Sequence, residues 1–446
     1  MARGLVLYTT KAQGSVQLRR STLKGTASVQ VKKMNSELMK QFNAASVLQV
    51  IRRRGPLSRV DIAHEIGLSR PSVSTIVTDL IEAGWVLELG GAEAAAMSEP
   101  NPGRGRPKIP VAVREDGHFA IGVEIGAWRA TTVVCNLSAE IICQRSWSID
   151  DSLAPHVVLA QVCDAVDACI SDSGIERSKV LGVGVAMHGI VDPVSGISVY
   201  APNLGWKDIP VVDMIEARTG LRTLIENDCN TSALGESLFG AARDKVNFVE
   251  LVVDYGIGSG LFLDGRVYRG VHNTEGQIGH VVVDEDGTRC ACGKYGCLEA
   301  MASEPAIVRN VKRALRLGER SALQELSGEG IAALTIDQVY QAALSGDGLA
   351  RGAIVRAARY IGLGVVLYAN ILNPETIILA GGLTAVAELV VPVVRNMLQM
   401  RALGAAAKET RVEVSQLGGS FYPVGAASLV LRRVFDGTIL TDSVEL

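Results

Sequence analysis

A chain of 446 residues exceeds what one hydrophobic core usually supports, so two or three domains are expected. Its net charge of −3 hides an asymmetry: residues 1–110 hold 16 Lys and Arg against 8 Asp and Glu, a balance of +8, and the remainder stands at −11. A basic head suited to a polyanion is thus joined to an acidic body, while Met1–Gln30 lacks the apolar run of a secretory signal and stretches such as Ile361–Leu372 are too short to span a bilayer.

With 48% hydrophobic but only 4% aromatic residues, small aliphatic packing must fill the cores. A cytoplasmic protein with no membrane partner is expected. Of eight cysteines, Cys135, Cys143, Cys163, Cys169 and Cys229 lie in apolar segments and read as small buried hydrophobes rather than disulfide partners.

Residues 1–33 read as a disordered basic arm, and 34–90 as a winged helix-turn-helix. Asn35–Arg54 has helical apolar spacing at Leu38, Phe42, Val47, Leu48 and Ile51, and stops at Gly55-Pro56. Ser58 caps a second, short helix with Asp61 in a capping-box relation; Ile62, Ala63 and Ile66 face inward and Gly67 makes the turn. Ser69 caps a third helix, whose apolar positions are Val73, Ile76, Val77, Leu80 and Ile81. Its other face offers Arg70, Ser72, Ser74, Thr75 and Thr78. Short hydroxyls allow close approach to base edges in a major groove, and an arginine reaches guanine or phosphate. Arg70, Ser72, Ser74 and Thr75 are therefore the candidate base-reading residues.

Trp85–Leu89 reads as the first strand of a wing. Residues 91–117 hold wing and linker, including Gly103-Arg104-Gly105-Arg106-Pro107, an extended backbone whose Arg104 and Arg106 suit the narrow minor groove of A·T-rich DNA. The expected partner is double-stranded DNA.

From His118 onward, β-rich runs alternate with helical patterns, an α/β body. Phe119–Glu124 and Thr131–Leu137 read as paired strands, and Val180–Met187 as a buried strand ending at His188-Gly189. Val249–Val253 and Leu261–Leu263 bracket the glycine run Asp254–Gly260, and Ile377–Leu379 leads into Gly381-Gly382. Between these, His280, Cys290, Cys292 and Cys297 fall within one loop-sized window. Three thiolates and an imidazole complete the tetrahedral shell of Zn²⁺ and leave no position for water, so a structural zinc is expected.

Four stretches carry a resemblance: Glu226-Asn-Asp-Cys-Asn230 with Ala233-Leu-Gly-Glu236; Gly256–Gly270; Gly276-Gln-Ile-Gly-His280; and Cys290-Ala-Cys-Gly-Lys-Tyr-Gly-Cys-Leu-Glu299. Over residues 35–435 the chain resembles the ROK family of bacterial sugar kinases and sugar-responsive repressors. Within it, the likeness is to the branch of xylose and N-acetylglucosamine operon regulators.

The resemblance implies a two-lobed, actin-like (ribonuclease H-like) sugar-kinase fold. Lobe 1 would span 118–228, completed by a C-terminal helix near 425–435, and lobe 2 would span 229–424. Asp228 occupies the position of the kinases' general base, Asn227 a sugar-hydroxyl position, and Asn203, Gln277, His280 and Glu299 further sugar contacts. Where the kinases carry Asp-x-Gly-x-Thr, this chain has Glu124-Ile-Gly126-Ala-Trp128; Gln277 replaces a Glu; and Asp254 puts an anion ahead of the glycine run. Glu124, Gly126, Gly256, Gly258, Gly381 and Gly382 thus read as remnants of a nucleotide cleft, with ATP and Mg²⁺ not expected as cofactors.

The function implied is a sugar-responsive regulator of transcription, most simply a repressor, acting as a homodimer or homotetramer on a palindromic operator. The alternative is an ATP-dependent sugar kinase with an accessory head. Operator position decides between repression and activation. Whether the effector is phosphorylated stays open, Arg129 being the candidate cation.

Overall fold

In the computed structural model, residues 36–90, 108–150, 152–326 and 330–437 are described. Local signals build the head as expected. Helix α1 (Ser36–Arg54) is followed by a short strand β1 (Leu57–Ser58), α2 (Arg59–Ile66) and α3 (Arg70–Glu82). The Ser58 and Ser69 hydroxyls accept the N–H groups of Asp61 and Ser72, 3.2 and 3.3 Å away, satisfying otherwise orphaned donors at the starts of α2 and α3. Gly67 closes α2 in the left-handed region at φ 69°, where a side chain would be strained.

Strand β2 (Val86–Glu88) pairs antiparallel with β3 (Pro110–Val113), whose other edge takes β1. The return strand of the wing therefore lies within the stretch expected to hold wing and linker. Arg104 and Arg106, like the basic arm, lie outside the described residues. One expectation fails: Phe42 is 68% exposed, because the head's core takes up only the later part of α1, through Ala45, Val47, Leu48 and Ile51.

The body repeats one topology twice. In lobe 1, β4 (Phe119–Ile125), β5 (Arg129–Asn136) and β6 (Ile141–Ser148) form an antiparallel meander. Helix α4 (Pro155–Ser173) leads to β7 (Val180–Met187), which runs parallel to β4. A small sheet of β8 (Ile190–Asp192), β9 (Ile197–Ala201) and β10 (Trp206–Ile209) follows. Helix α5 (Val211–Thr219) then precedes β11 (Thr223–Asn227), giving the order β11-β7-β4-β5-β6.

Lobe 2 opens with α6 (Asp228–Phe239) and its own meander of β12 (Phe248–Val253), β13 (Ile257–Leu263) and β14 (Arg266–Val267). Helices α7 (Leu298–Ala302), α8 (Glu304–Arg316), α9 (Leu323–Leu326), α10 (Ile336–Leu344) and α11 (Gly348–Leu372) lead to β15 (Thr376–Ala380). After α12 (Ala387–Arg401) and α13 (Ala406–Glu409), β16 (Arg411–Val414) completes a sheet that reads β16-β15-β12-β13-β14, strand for strand the order of lobe 1. The strand ends of two such halves face a shared cleft, where ligands of open α/β sheets bind.

Helix α11 corrects one reading. At 25 residues it is long and apolar enough to cross a bilayer by length and composition, as is 382–401. In α11, however, Ile354, Ala358, Ile361 and Val365 are buried in the lobe 2 core beside Val390, Val394 and Leu398 of α12.

The last helix, α14 (Phe421–Phe435), ties the molecule together. It lies directly on the lobe 1 sheet: a Cβ at Gly122 or Gly184 would come within 1.9 and 1.8 Å of the carbonyls of Pro423 and Ala426. Its far end shares one apolar cluster with the head, Val430, Leu431, Val434 and Phe435 joining Val47, Leu48 and Ile51 of α1. Trp85 of the head also stacks on His118 at 3.9 Å, and the His118 ring bonds the Ala83 carbonyl at 3.0 Å. The head is thus packed on lobe 1, not merely tethered to it.

Candidate metal centre and ligand cleft

The cysteine-rich loop closes on itself through isolated bridges between Val282 and Cys297 and between Arg289 and Tyr295. That folding gathers His280, Cys290, Cys292 and Cys297, whose ligand atoms all lie within 4.8 Å of one another. A zinc tetrahedron with ordinary Zn–S and Zn–N bonds has edges of about 3.6–3.8 Å. The Sγ atoms of Cys292 and Cys297 are 3.6 Å apart, and Cys290 Sγ is 3.7 Å from His280 Nδ1. The donor set and its spacing can hold a metal ion of that size. Glu299, in the first turn of α7, joins this knot to the glycine run. One carboxylate oxygen lies 3.9 Å from Cys290 Sγ and the other accepts the Ile257 N–H at 3.2 Å.

The cleft is built where β11 ends and α6 begins. Asn227 is the N-cap of α6. Its Oδ1 accepts the N–H groups of Cys229 and Asn230, and its Nδ2 donates to the Gly189 carbonyl at 3.0 Å. Asp228 then stands in the first turn with Oδ2 3.4 Å from His188 Nδ1, and the other ring nitrogen of His188 is 3.0 Å from Asn203 Nδ2. Burial alone would lower the His188 pKa, but the bond to Asp228 and its charge outweigh it and hold the imidazole above its ordinary value. Asp228, His188 and Asn203 therefore form one hydrogen-bonded group, and Glu299 beside the Cys/His knot is close enough to act on His188. Gln277 is exposed, just ahead of the turn Ile278–His280.

The sequence reading noted His188 only as the end of a strand. The available signal was a polar residue at the C-terminal end of a buried parallel strand, beside the strand that leads into Asp228. Arg269 was also missed: it pairs with the buried Glu226 carboxylate, which in turn accepts the Asn227 N–H.

The other half of the cleft is crowded with carboxyl groups and aromatic rings. Glu124 is buried at the end of β4, and its carboxyl is pushed up by that burial despite Arg129, 3.6 Å away. Trp128 meets Tyr255 edge-on with ring centroids 3.7 Å apart, joining the β4–β5 turn of lobe 1 to the β12–β13 turn of lobe 2. Burial, and then the neighbouring Asp254, raise Glu304 to about 8; its carboxylate accepts the Tyr340 hydroxyl at 3.0 Å.

The glycines here are packing requirements in their own right. A Cβ would meet Glu304 Oε1 at 2.0 Å from Gly382, Cys229 Sγ at 2.6 Å from Gly258, and the Val253 carbonyl at 2.3 Å from Gly381. At Gly256 and Gly126 the nearest atoms, Glu299 Oε2 and the Arg129 carbonyl, would each be 3.0 Å away.

On the head, Arg70, Ser72 and Thr75 are exposed along α3, while Ser74 is half-buried. Arg59 of α2 reaches across to the Ser74 carbonyl and the Thr78 hydroxyl, at 2.8 and 3.1 Å, so a second arginine borders the reading face.

A winged helix-turn-helix packed on a duplicated two-lobe cleft, with a Cys/His knot beside that cleft, defines a DNA-binding regulator class built on a sugar-kinase body. The chain belongs to the ROK family: that family's pattern matches residues 120–433, and the pattern described as MarR family matches residues 41–91 of the head. A putative xylose repressor of Caldicellulosiruptor sp. (strain Rt8B.4) is 29% identical over 397 residues, covering 89% of this chain and 97% of that protein. A crystal structure of a ROK family transcriptional regulator, described as a homolog of the E. coli MLC protein, aligns with TM-score 0.76 and 28% identity over 90% of this chain and 98% of its own. A ROK family glucokinase from Streptomyces griseus, solved with glucose and AMPPNP, aligns with TM-score 0.62 and 29% identity over 70% of this chain and 98% of its own.

Proposed function

We propose that this chain is a sugar-responsive transcriptional regulator, a repressor of carbohydrate uptake or catabolism genes that leaves its operator when a sugar or sugar derivative fills the cleft. The observation that carries this reading is α6. It begins in the cleft with the cap Asn227 and with Asp228, and ends where the Leu238 carbonyl accepts a 3.0 Å hydrogen bond from Arg52 of the head. Twelve residues of helix make a rod of about 18 Å between ligand and DNA-binding module. The guanidinium of Arg52 also lies 4.6 Å over the Phe435 ring, so one side chain touches α6 and α14 while belonging to α1. A movement of lobe 2 on sugar closure is thereby delivered to the head; the coupling needs only that the closed form bind DNA less well.

Within this reading Asn203, Asn227, Asp228, Gln277, His280 and Glu299 face the sugar, Asn227 chiefly by holding the start of α6. Arg70, Ser72, Ser74 and Thr75 read the major groove, and Arg104 and Arg106 an A·T-rich minor groove. The operator is palindromic and the protein a cytoplasmic homodimer or homotetramer. His280, Cys290, Cys292 and Cys297 hold zinc, whose contribution is structural because four protein ligands fill its shell. It fixes the loop that carries His280 and Glu299, which lowers the ordering cost of ligand binding.

A kinase reading is favoured by Asp228, a carboxylate suited to take a hydroxyl proton. Against it stand Glu124 in place of a shorter carboxylate, the Trp128–Tyr255 contact, which adds bulk on the nucleotide side, and Asp254, an anion ahead of the glycine run. The test is operator binding by the zinc-loaded protein across a sugar library, with a parallel search for sugar phosphate in the presence of ATP and Mg²⁺. Sugar-dependent release without turnover is expected; phosphorylation of any sugar would reverse the assignment.

A further inference from the structure

We infer that Trp128 and Tyr255 form an aromatic latch between the lobes, which sets the opening of the cleft and, with it, the balance between the sugar-binding and operator-binding forms. The consequence for sugar and operator rests on the regulator reading above; the latch itself does not. Both rings sit on three-residue turns that the duplication makes equivalent. Gly126-Ala127-Trp128 joins β4 to β5, and Asp254-Tyr255-Gly256 joins β12 to β13. Strands β4 and β12 hold the same central place in two sheets of matching order. The two turns therefore belong to different lobes, and their rings meet edge-on with centroids 3.7 Å apart.

Neither turn has slack. In lobe 1 the Gly126 N–H donates to the Arg129 carbonyl at 2.9 Å, and the Trp128 carbonyl accepts the Ile149 N–H at 2.7 Å. In lobe 2 the Asp254 N–H donates to the Gly256 carbonyl, and the Asp254 carbonyl accepts the Glu304 N–H, both at 3.0 Å. Just beyond that turn, the Ile257 N–H donates to Glu299, which ties the Tyr255 hairpin to the residue beside the Cys/His knot. Each ring is thus fixed to its own lobe, and a change in lobe angle must slide or part the rings. Trp128 is 45% and Tyr255 51% exposed, so the contact belongs to neither core and opens at little cost. An aromatic pair shifts an equilibrium by about 2- to 12-fold, enough to bias two lobe arrangements and too little to lock one.

The test uses full-length, zinc-loaded protein and the variants Trp128→Ala, Tyr255→Ala and Tyr255→Phe. Amide hydrogen exchange, read by mass spectrometry, comes first and needs no ligand. Tyr255→Ala, in lobe 2, should speed exchange at Gly126 and Ile149 of lobe 1 by about 2- to 12-fold. Trp128→Ala should do the same at Asp254 and Ile257 of lobe 2, while Tyr255→Phe keeps the ring and should exchange like the native chain. Operator affinity by fluorescence anisotropy and sugar affinity by calorimetry follow, with a sugar that binds the native chain. Because both ligands draw on one equilibrium, each alanine variant should strengthen one and weaken the other within that same range. Unchanged exchange in the opposite lobe overturns the inference. So does faster exchange without opposite shifts in the two affinities, which marks a local packing contact or a damaged fold. If the native chain binds no sugar, or binds it without releasing operator, the regulator reading is lost and the latch is decided by exchange alone.

Discussion

Replacing Arg52 with methionine should separate sugar binding from DNA release. The substitution keeps an unbranched side chain of similar length against Phe435 but removes the charge and the donor to the Leu238 carbonyl. Burial pulls the guanidinium down to about 10, so it is still cationic at neutral pH. A hydrogen bond from a charged donor contributes about 1.5–3 kcal/mol, and a cation–π contact about 0.5–2 kcal/mol. Offsetting this, Arg52 Nε is buried without a partner, and its loss relieves part of that cost. The net weakening of the junction should be about 1–2 kcal/mol, comparable with the 1–3 kcal/mol of a typical allosteric coupling. Fluorescence anisotropy on operator DNA, with and without saturating sugar, reads the coupling; calorimetry reads sugar affinity alone. Arg52→Met should bind sugar, and bind DNA in its absence, much as the native chain does, but lose most of the sugar-induced drop in DNA affinity. A variant that still releases DNA in full would refute the role given to α6.

Other consequences follow from named contacts. Cys297→Ser should lose the bound zinc equivalent, measured by metal analysis, and lower the Tm, and chelation of the native protein should abolish the Tm rise that sugar produces. Glu304, raised from its ordinary value to about 8, favours the protonated form in the fold, so folding binds a proton and stability falls as pH climbs from about 4.5 to 8. Glu304→Gln should flatten that fall, with a Tm above the native chain's at pH 8–9 and little difference near pH 5. Gly184→Ala drives a methyl into the Ala426 carbonyl and should cost 3 kcal/mol or more, read by denaturant unfolding, unless α14 shifts off the sheet. Arg70→Ala should weaken operator binding by about 1–3 kcal/mol and relax preference at one base position, leaving sugar affinity unchanged.

What the sequence made legible were features set by near neighbours. Ser58, Ser69 and Gly67 mark helix ends through contacts within three or four residues: α2 runs from Ser58 to Gly67, and α3 starts at Ser69. The knot of His280, Cys290, Cys292 and Cys297 was equally readable, because all four donors come from one loop. Contacts set by distant segments were not. Arg52 looks like one of three arginines ending a helix, and only packing brings it to Leu238, 186 residues away. Phe42 satisfies the helical spacing yet faces outward, since periodicity finds an apolar stripe but not how far along it a partner extends. His188 gains its meaning from Asp228 and Asn203, which reach it from the start of α6 and from the turn after β9. The Asp254–Glu304 pair likewise joins a turn to a helix start 50 residues on.

The central claim is that occupancy of the cleft governs the grip of the head on DNA. It is tested most directly by measuring both affinities of the zinc-loaded, full-length protein. Operator Kd is measured with and without a sugar that binds, and the Kd of that sugar with and without saturating operator, the operator being selected from random DNA by the protein itself. Thermodynamic linkage requires the two ratios to be equal, and a coupling of 1–3 kcal/mol makes each about 5–150. Matching ratios in that range are predicted, each ligand weakening the other. Ratios of one, with sugar and DNA both bound, would contradict the account.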